Sequence, residues 1–214
     1  MARTGLWRKA VLFAGLGMFA LMAGGEAQAQ KAVMTIHPGK GVGGLSLGDG
    51  AAQFEAVFPK TPGGWNHGFT GGGKGCAKEF YYWNNRVHLS SDVKAYMMGK
   101  QISLITVSGP KFALSNGIVP LYWPKDQPVG TSMKQVEQAY PDGHLYSLSG
   151  TDSDRVNGRD LQFWVDRKAG IAFQLVWVPS VKQRMVQKID VFAPGTAYLP
   201  RGCITMEEKY TEVR

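Results

Sequence analysis

Leu47-Gly48-Asp49-Gly50-Ala51-Ala52-Gln53-Phe54-Glu55-Ala56-Val57-Phe58-Pro59 has a counterpart 82 residues later, Val129-Gly130-Thr131-Ser132-Met133-Lys134-Gln135-Val136-Glu137-Gln138-Ala139-Tyr140-Pro141. The two share Gly48/Gly130, Gln53/Gln135, Glu55/Glu137 and Pro59/Pro141, and they match in apolar character at Phe54/Val136, Val57/Ala139 and Phe58/Tyr140. Ala51, Phe54, Val57 and Phe58 recur at the spacing of one helix face, which predicts a short helix opened at Asp49 or Gly50 and closed by Pro59. Met133, Val136, Ala139 and Tyr140 repeat that spacing. Ser132 with Gln135 three residues on fits a capping box, with Thr131 as the competing cap.

The flanking strands repeat as well. Phe80-Tyr81-Tyr82-Trp83 falls on Gln162-Phe163-Trp164-Val165 at the same offset of 82, and residues 100–110 fall on 184–194 at 84, bringing Ile105/Ile189, Val107/Val191 and Pro110/Pro194 together. Strands are expected at 79–83, 86–90 after an Asn84-Asn85 turn, 93–98 and 101–108 around Gly99, and in the second half at 160–165 and 170–178. Residues 33–36 read as an edge strand stopped by Pro38. Residues 61–75, rich in Gly, read as a loop. The expected fold class is α+β: two tandem repeats, each a short helix packed on an antiparallel β-meander. Residues 33–112 hold the first, 113–126 a connector, 127–196 the second and 197–214 a tail. Two copies are too few for a solenoid, so a pseudo-twofold pair is expected, with sheets that join or face each other.

Arg3, Arg8 and Lys9 precede the apolar run 10–23, and Ala27-Gln28-Ala29 offers small residues for cleavage, so residues 1–29 read as a signal peptide. No later run approaches the roughly 20 apolar residues of a spanning helix, which excludes a membrane span on this reading. The expected location is periplasmic or secreted. Removing residues 1–29 takes three basic residues and one Glu from the 24 basic and 16 acidic ones, leaving a net charge of +6. That balance favours anionic partners, an anionic surface among them, while export disfavours nucleic acid. Scattered solubilising charge is the ordinary alternative. Cys76 and Cys203 are the only cysteines, and an oxidising compartment favours their pairing as a disulfide over a reactive thiol.

The Leu-Gly-x-x-x-x-Gln-Phe-Glu and Val-Gly-x-x-x-x-Gln-Val-Glu openings, each followed by a meander, resemble the helix-plus-sheet modules of the β-lactamase-inhibitor-protein and outer-membrane assembly lipoprotein (SmpA/OmlA) group. The resemblance covers two 13-residue segments and the order of elements. It implies an exported domain that binds other proteins. The chain departs from the group in lacking the lipoprotein Cys and the inhibitor's disulfide within each module, so no functional residue is carried over.

Motifs for chemistry are sparse. The segment 68–75 approaches a phosphate-binding loop, but Gly75 stands where Ser or Thr must reach a metal, and strands rather than a helix follow. His37, His67, His88 and His144 never fall at ligand spacing, so no metal and no cofactor is expected. Cys76 with His67 or His88 would make a nucleophile and base, in competition with the disulfide for the same sulfur. Asp152, Asp154 and Asp160 lack the spacing and final Glu of a calcium loop, and Asn157-Gly158 reads as a tight hairpin turn. Aromatic residues are the better clue: Tyr81 and Trp83 point to one face of their strand, Phe80 and Tyr82 to the other, and Trp164 opposes Phe163. They either pack the sheets together or form a contact surface rimmed by Arg86, Arg159 and Arg167. The candidate contact residues are Trp65, His67, Tyr82, Trp83, Trp123 and Trp164. The expected function is a non-catalytic, protein-binding module for another envelope or extracellular protein. The alternatives are a small extracytoplasmic hydrolase and a carrier of a hydrophobic or anionic ligand.

Overall fold

Alternating apolar side chains commit most of the chain's regular structure to strands. In a computed structural model that describes residues 33–60, 64–70, 75–85, 90–147, 155–156, 159–202 and 210–213, two short α-helices interrupt them. In chain order the elements are β1 (Met34–His37), β2 (Gly41–Val42), β3 (Leu45–Ser46), α1 (Ala51–Val57), β4 (Trp65–Phe69), β5 (Glu79–Asn85), β6 (Ser91–Met98), β7 (Gln101–Ser108) and β8 (Phe112–Leu114). There follow α2 (Met133–Ala139), β9 (His144–Ser147), β10 (Arg155–Val156), β11 (Arg159–Asp160), β12 (Gln162–Asp166), β13 (Ile171–Val178), β14 (Gln183–Phe192) and β15 (Thr211–Glu212). The fold is α+β, and mostly β. No helix among the described residues is long and apolar enough to cross a membrane. The signal-peptide reading and Cys203 lie outside the described residues.

Among the described residues, nine strands form one antiparallel sheet in the order β15-β9-β12-β13-β14-β7-β6-β5-β4. The sheet has two halves of like order: α1 precedes the meander β4 to β7, and α2 precedes β9, β12, β13 and β14. The halves meet where β7 pairs with β14. There Thr106 faces Asp190, with Ile105 opposite Val191 and Val107 opposite Ile189. A second sheet, β3-β2-β1-β8, lies apart in the pairing, with β1 and β8 parallel.

One face of the large sheet is dry. Phe54 of α1 and Val136 of α2 are the buried residues of their helices, and they share a core with Val93, Ile105, Phe173 and Ile189 and with Ile36 and Phe112 of the small sheet. Each such side chain contributes about 1.5–3 kcal/mol by leaving water. Phe58, just past α1, packs its ring 5.3 Å from that of Trp83. At the matching place after α2 the Tyr140 carbonyl accepts the Trp164 indole N–H at 3.0 Å. Gly143 makes room for that indole, because a Cβ there would strike the ring. The helix ends differ too: Ser132 and Gln135 form the expected capping box, whereas Gly50 at α1 offers no side-chain cap. Thr131 is not the cap; it is buried, and its hydroxyl oxygen accepts the Val119 N–H.

Four local expectations are corrected. Residues 65–69 are strand β4, because Trp65, His67 and Phe69 alternate with Asn66 and Gly68, and a Cβ at Gly68 would sit 2.6 Å from the Phe80 ring. Asn84 and Asn85 are paired strand residues opposite Asp92 and Ser91 rather than a turn, with the Asn84 amide bonded across to the Asp92 carboxylate. Strand β1 is not an edge; it lies between β2 and β8, and Pro38 falls just beyond its paired residues. Part of the connector, Phe112–Leu114, forms the strand that flanks it. The ribbon β10–β11 has the antiparallel pairing of the expected hairpin, although Asn157 and Gly158 lie outside the described residues.

Candidate functional site

The face away from the helices is treated differently by the two halves. Over the second half it is apolar and covered: Tyr198 and Tyr210 of the C-terminal segment pack on Phe163, and Tyr198 also packs on Phe192. Strand β15 extends the sheet beyond β9, where Glu212 takes His144 Nδ1 at 2.6 Å. Over the first half, strand alternation brings Tyr82, Asp92, Lys94, Thr106 and Ser108 to the same face, all half-buried and polar. Asp92 gathers three donors: the Tyr82 hydroxyl at 2.9 Å, the Ser108 hydroxyl at 3.1 Å and the Asn84 amide.

Between the open half and the covering segment lies a cleft of about 360 Å³. Its floor is the cross-strand row Tyr82, Lys94, Thr106, Asp190, with Lys188 and Gln174 beside it. Tyr198 and Arg201 form the overhanging wall. Asp190 is only 5% exposed, and the Tyr198 hydroxyl donates to its Oδ2. Its Oδ1 is buried and meets no donor at hydrogen-bonding geometry among the described residues. Burial raises the Asp190 pKa above the ordinary carboxylate value, partly opposed by the neighbouring Thr106 and Tyr198 hydroxyls and by the charge of Lys188. Tyr198 is pushed well up by its own burial and by Asp190, and Tyr96 is raised by burial and Asp190 against the pull of Arg201.

Lys94 is held below the usual lysine value, first by burial, then by the like charges of Lys188 and Arg201. Its ammonium lies 3.6 Å from the Phe80 ring centroid, a cation–π contact. Among the described residues neither Lys94 nor Lys188 has a carboxylate within ion-pair distance. Three cations therefore line the cleft beside a buried acid whose charged form burial disfavours. A larger groove, about 630 Å³ and lined by Leu47, Met98, Ile102, Leu104, Phe192 and Leu199, lies elsewhere and offers no charged group. No group of three or more His, Cys, Asp or Glu able to hold a metal occurs among the described residues.

The six aromatic candidates do not form one surface. Trp83 and Trp164, 8% and 7% exposed, are core residues on the helix side of the sheet. Trp65 and His67 stand on the edge strand β4, also on that side. Trp65 has the Lys60 ammonium 4.4 Å from its ring, and His67 is stacked on Tyr81 and bonded to Glu79 at 2.8 Å. Trp123 is 48% exposed on the connector. Only Tyr82 lines the cleft. Of the proposed rim, Arg86 lies outside the described residues, Arg159 is on β11, and Arg167 is half-buried near His144. Lys94, Lys188, Asp190, Tyr198 and Arg201 carry no motif and were not anticipated. The one available signal was an acid between Ile189 and Val191 in an otherwise apolar strand, where an unpaired carboxylate is costly.

The chain matches no protein-family model, no curated protein and no solved structure.

Proposed function

We propose that the chain is an exported, non-catalytic binding protein of the cell envelope or exterior that engages another protein through the helix-free face of its first half. The observation that carries this reading is the unequal cover of one continuous sheet. The C-terminal segment packs over the second half, while Tyr82, Asp92, Lys94 and Ser108 stay half-exposed over the first. Tyr82 and Arg201 are of residue types enriched in protein contact surfaces, and the polar groups around them suit the rim of one. The partner presents acidic groups there, since Lys94, Lys188 and Arg201 lie at the cleft without carboxylate partners among the described residues and the exported chain carries a net +6.

The frame of this reading is a tandem duplication. It is supported by helices of equal length at an offset of 82, and by the pairing of Thr106 with Asp190, residues that the offset of 84 also equates. A twofold axis relating two copies must pass through such a self-matching pair. Covalent closure by Cys76 and Cys203 belongs to the same proposal, supported by the hydrogen bond from Ala77 N–H to the Gly202 carbonyl, 2.6 Å, between the residues next to the two cysteines.

The test is site-directed photo-crosslinking in cells producing the full chain. A crosslinking residue at Asn66 or Tyr82 on the helix-free face is expected to give a discrete protein adduct, and one at Gln53 on α1 is not. Adducts equally frequent from both faces, or from neither, would remove the sheet-face reading.

A further inference from the structure

We infer that the cleft between β6, β7, β14 and the C-terminal segment is a binding site for a carboxylate, held by the ammonium groups of Lys94 and Lys188 and the guanidinium of Arg201, with Asp190 as a hydrogen-bonding contact at its floor. This rests on the proposed use of the same face and names the chemistry that the face recognises.

Two independent observations point to a ligand. The first is the clustering of Lys94, Lys188 and Arg201 in the lining of one cleft, where the latter two also disfavour the charge on Lys94. Like charges gathered around a low-dielectric pocket raise the energy of the empty site, and an anion placed among them relieves that repulsion while gaining charge-assisted hydrogen bonds. The second is Asp190, a cleft-lining residue whose Oδ1 is buried beside the Thr106 hydroxyl and lacks a donor at bonding geometry among the described residues. Tyr198 already satisfies Oδ2. A proton on Oδ1 would donate to a bound carboxylate oxygen, an arrangement favoured by the burial that keeps this acid protonated to higher pH. The volume, about 360 Å³, suits a small acid or one acidic side chain with its flanking residues.

The pH dependence follows from every titratable group that faces the site. Lys94, Lys188 and Arg201 hold the anion while charged. Asp190 helps while protonated and repels once ionised. Burial keeps Tyr96 and Tyr198 neutral hydroxyls, and the carboxylate of Asp92 is occupied by Tyr82, Ser108 and Asn84. Raising the pH therefore weakens binding, first as Asp190 ionises and then as Lys94 loses its proton.

The experiment is calorimetric titration of the protein recovered from cells producing the full chain, with succinate and with a blocked tri-glutamate peptide, at a fixed ionic strength near 0.15 M to limit diffuse charge effects. One-to-one binding of either probe is expected, weakened about tenfold or more by Lys94→Met and by Lys188→Met, the loss of one charge-assisted hydrogen bond each. Lys100→Met, in the exposed turn after β6, is the control and leaves affinity unchanged. Asp190→Asn removes the decline of affinity across the acidic range. Binding of the peptide but not succinate assigns the carboxylate to a protein partner, and binding of succinate assigns it to a free small acid. No saturable binding by either probe, or equal loss in Lys100→Met, overturns the site. Probe binding without crosslinks from Tyr82 would retain the site and discard the protein-partner reading; crosslinks without probe binding would do the reverse.

Discussion

The two halves of the large sheet share an order of elements and differ in what lies on each side of it. On the helix side the first half relies on rings: Phe54 and Phe58 are centred 5.3 Å apart, and Phe58 meets Trp83 at the same distance. The second half buries only Val136 from its helix and adds polar bonds, the Ser132–Gln135 box and the Trp164 to Tyr140 link. On the other side the second half is sealed by Tyr198 and Tyr210, whereas over the first Tyr96 and Leu104 are buried but Tyr82, Asp92, Lys94 and Ser108 stay half-buried and polar. The frame tolerates either kind of packing on its dry face. What sets the halves apart on the helix-free face is the covering segment.

The largest effect tests how that segment is fastened. If Cys76 and Cys203 close the chain, Cys203→Ser lowers the unfolding free energy by roughly 4–5 kcal/mol in urea titrations, the value of a closure this long in the loop-entropy model. An unchanged midpoint, with two thiols titrating in the unfolded wild type without reductant, would show that noncovalent packing alone holds the cover.

Next in size is the contact between cover and floor. Tyr198→Phe removes the donor to Asp190 Oδ2 and is expected to cost about 1–3 kcal/mol. The folded Asp190 pKa is raised above the unfolded value of about 3.9, so its stabilising contribution is full below that value and is lost as pH rises through the folded pKa. Asp190→Asn should flatten that part of the stability curve. A curve parallel to wild type would assign the slope to another group.

The smallest effect separates the two tryptophans. Trp164→Phe loses a satisfied hydrogen bond, while Trp83→Phe removes an indole N–H that has no partner among the described residues. Chemical unfolding should find the first variant less stable than the second by about 1 kcal/mol. Equal losses would mean that ring packing, common to both, decides the cost.

Much of the frame was legible because it is written locally. Helical spacing placed α1 and α2, the Ser132 box gave one start correctly, and alternation sent Phe80 and Tyr82 to the face opposite Trp83. Composition misled where a strand was rich in glycine: Gly68 marked the close approach of the Phe80 ring within β4, which reads as a loop when glycine is taken only as punctuation. Among the aromatic candidates, Trp83 and Trp164 have the residue type of a contact surface, but alternation alone does not say which face the helices cover.

The sequence by itself determined the two short helices, the antiparallel alternation and the paired segments at offsets of 82 and 84, because helix caps and side-chain periods act over a few residues. Tertiary structure alone decided the cleft. Lys94, Asp190 and Arg201 are remote in sequence, and they meet only because β7 pairs with β14 and the C-terminal segment folds back over the sheet. Charge repulsion and desolvation depend on distance in space, so that chemistry came into being only with the fold.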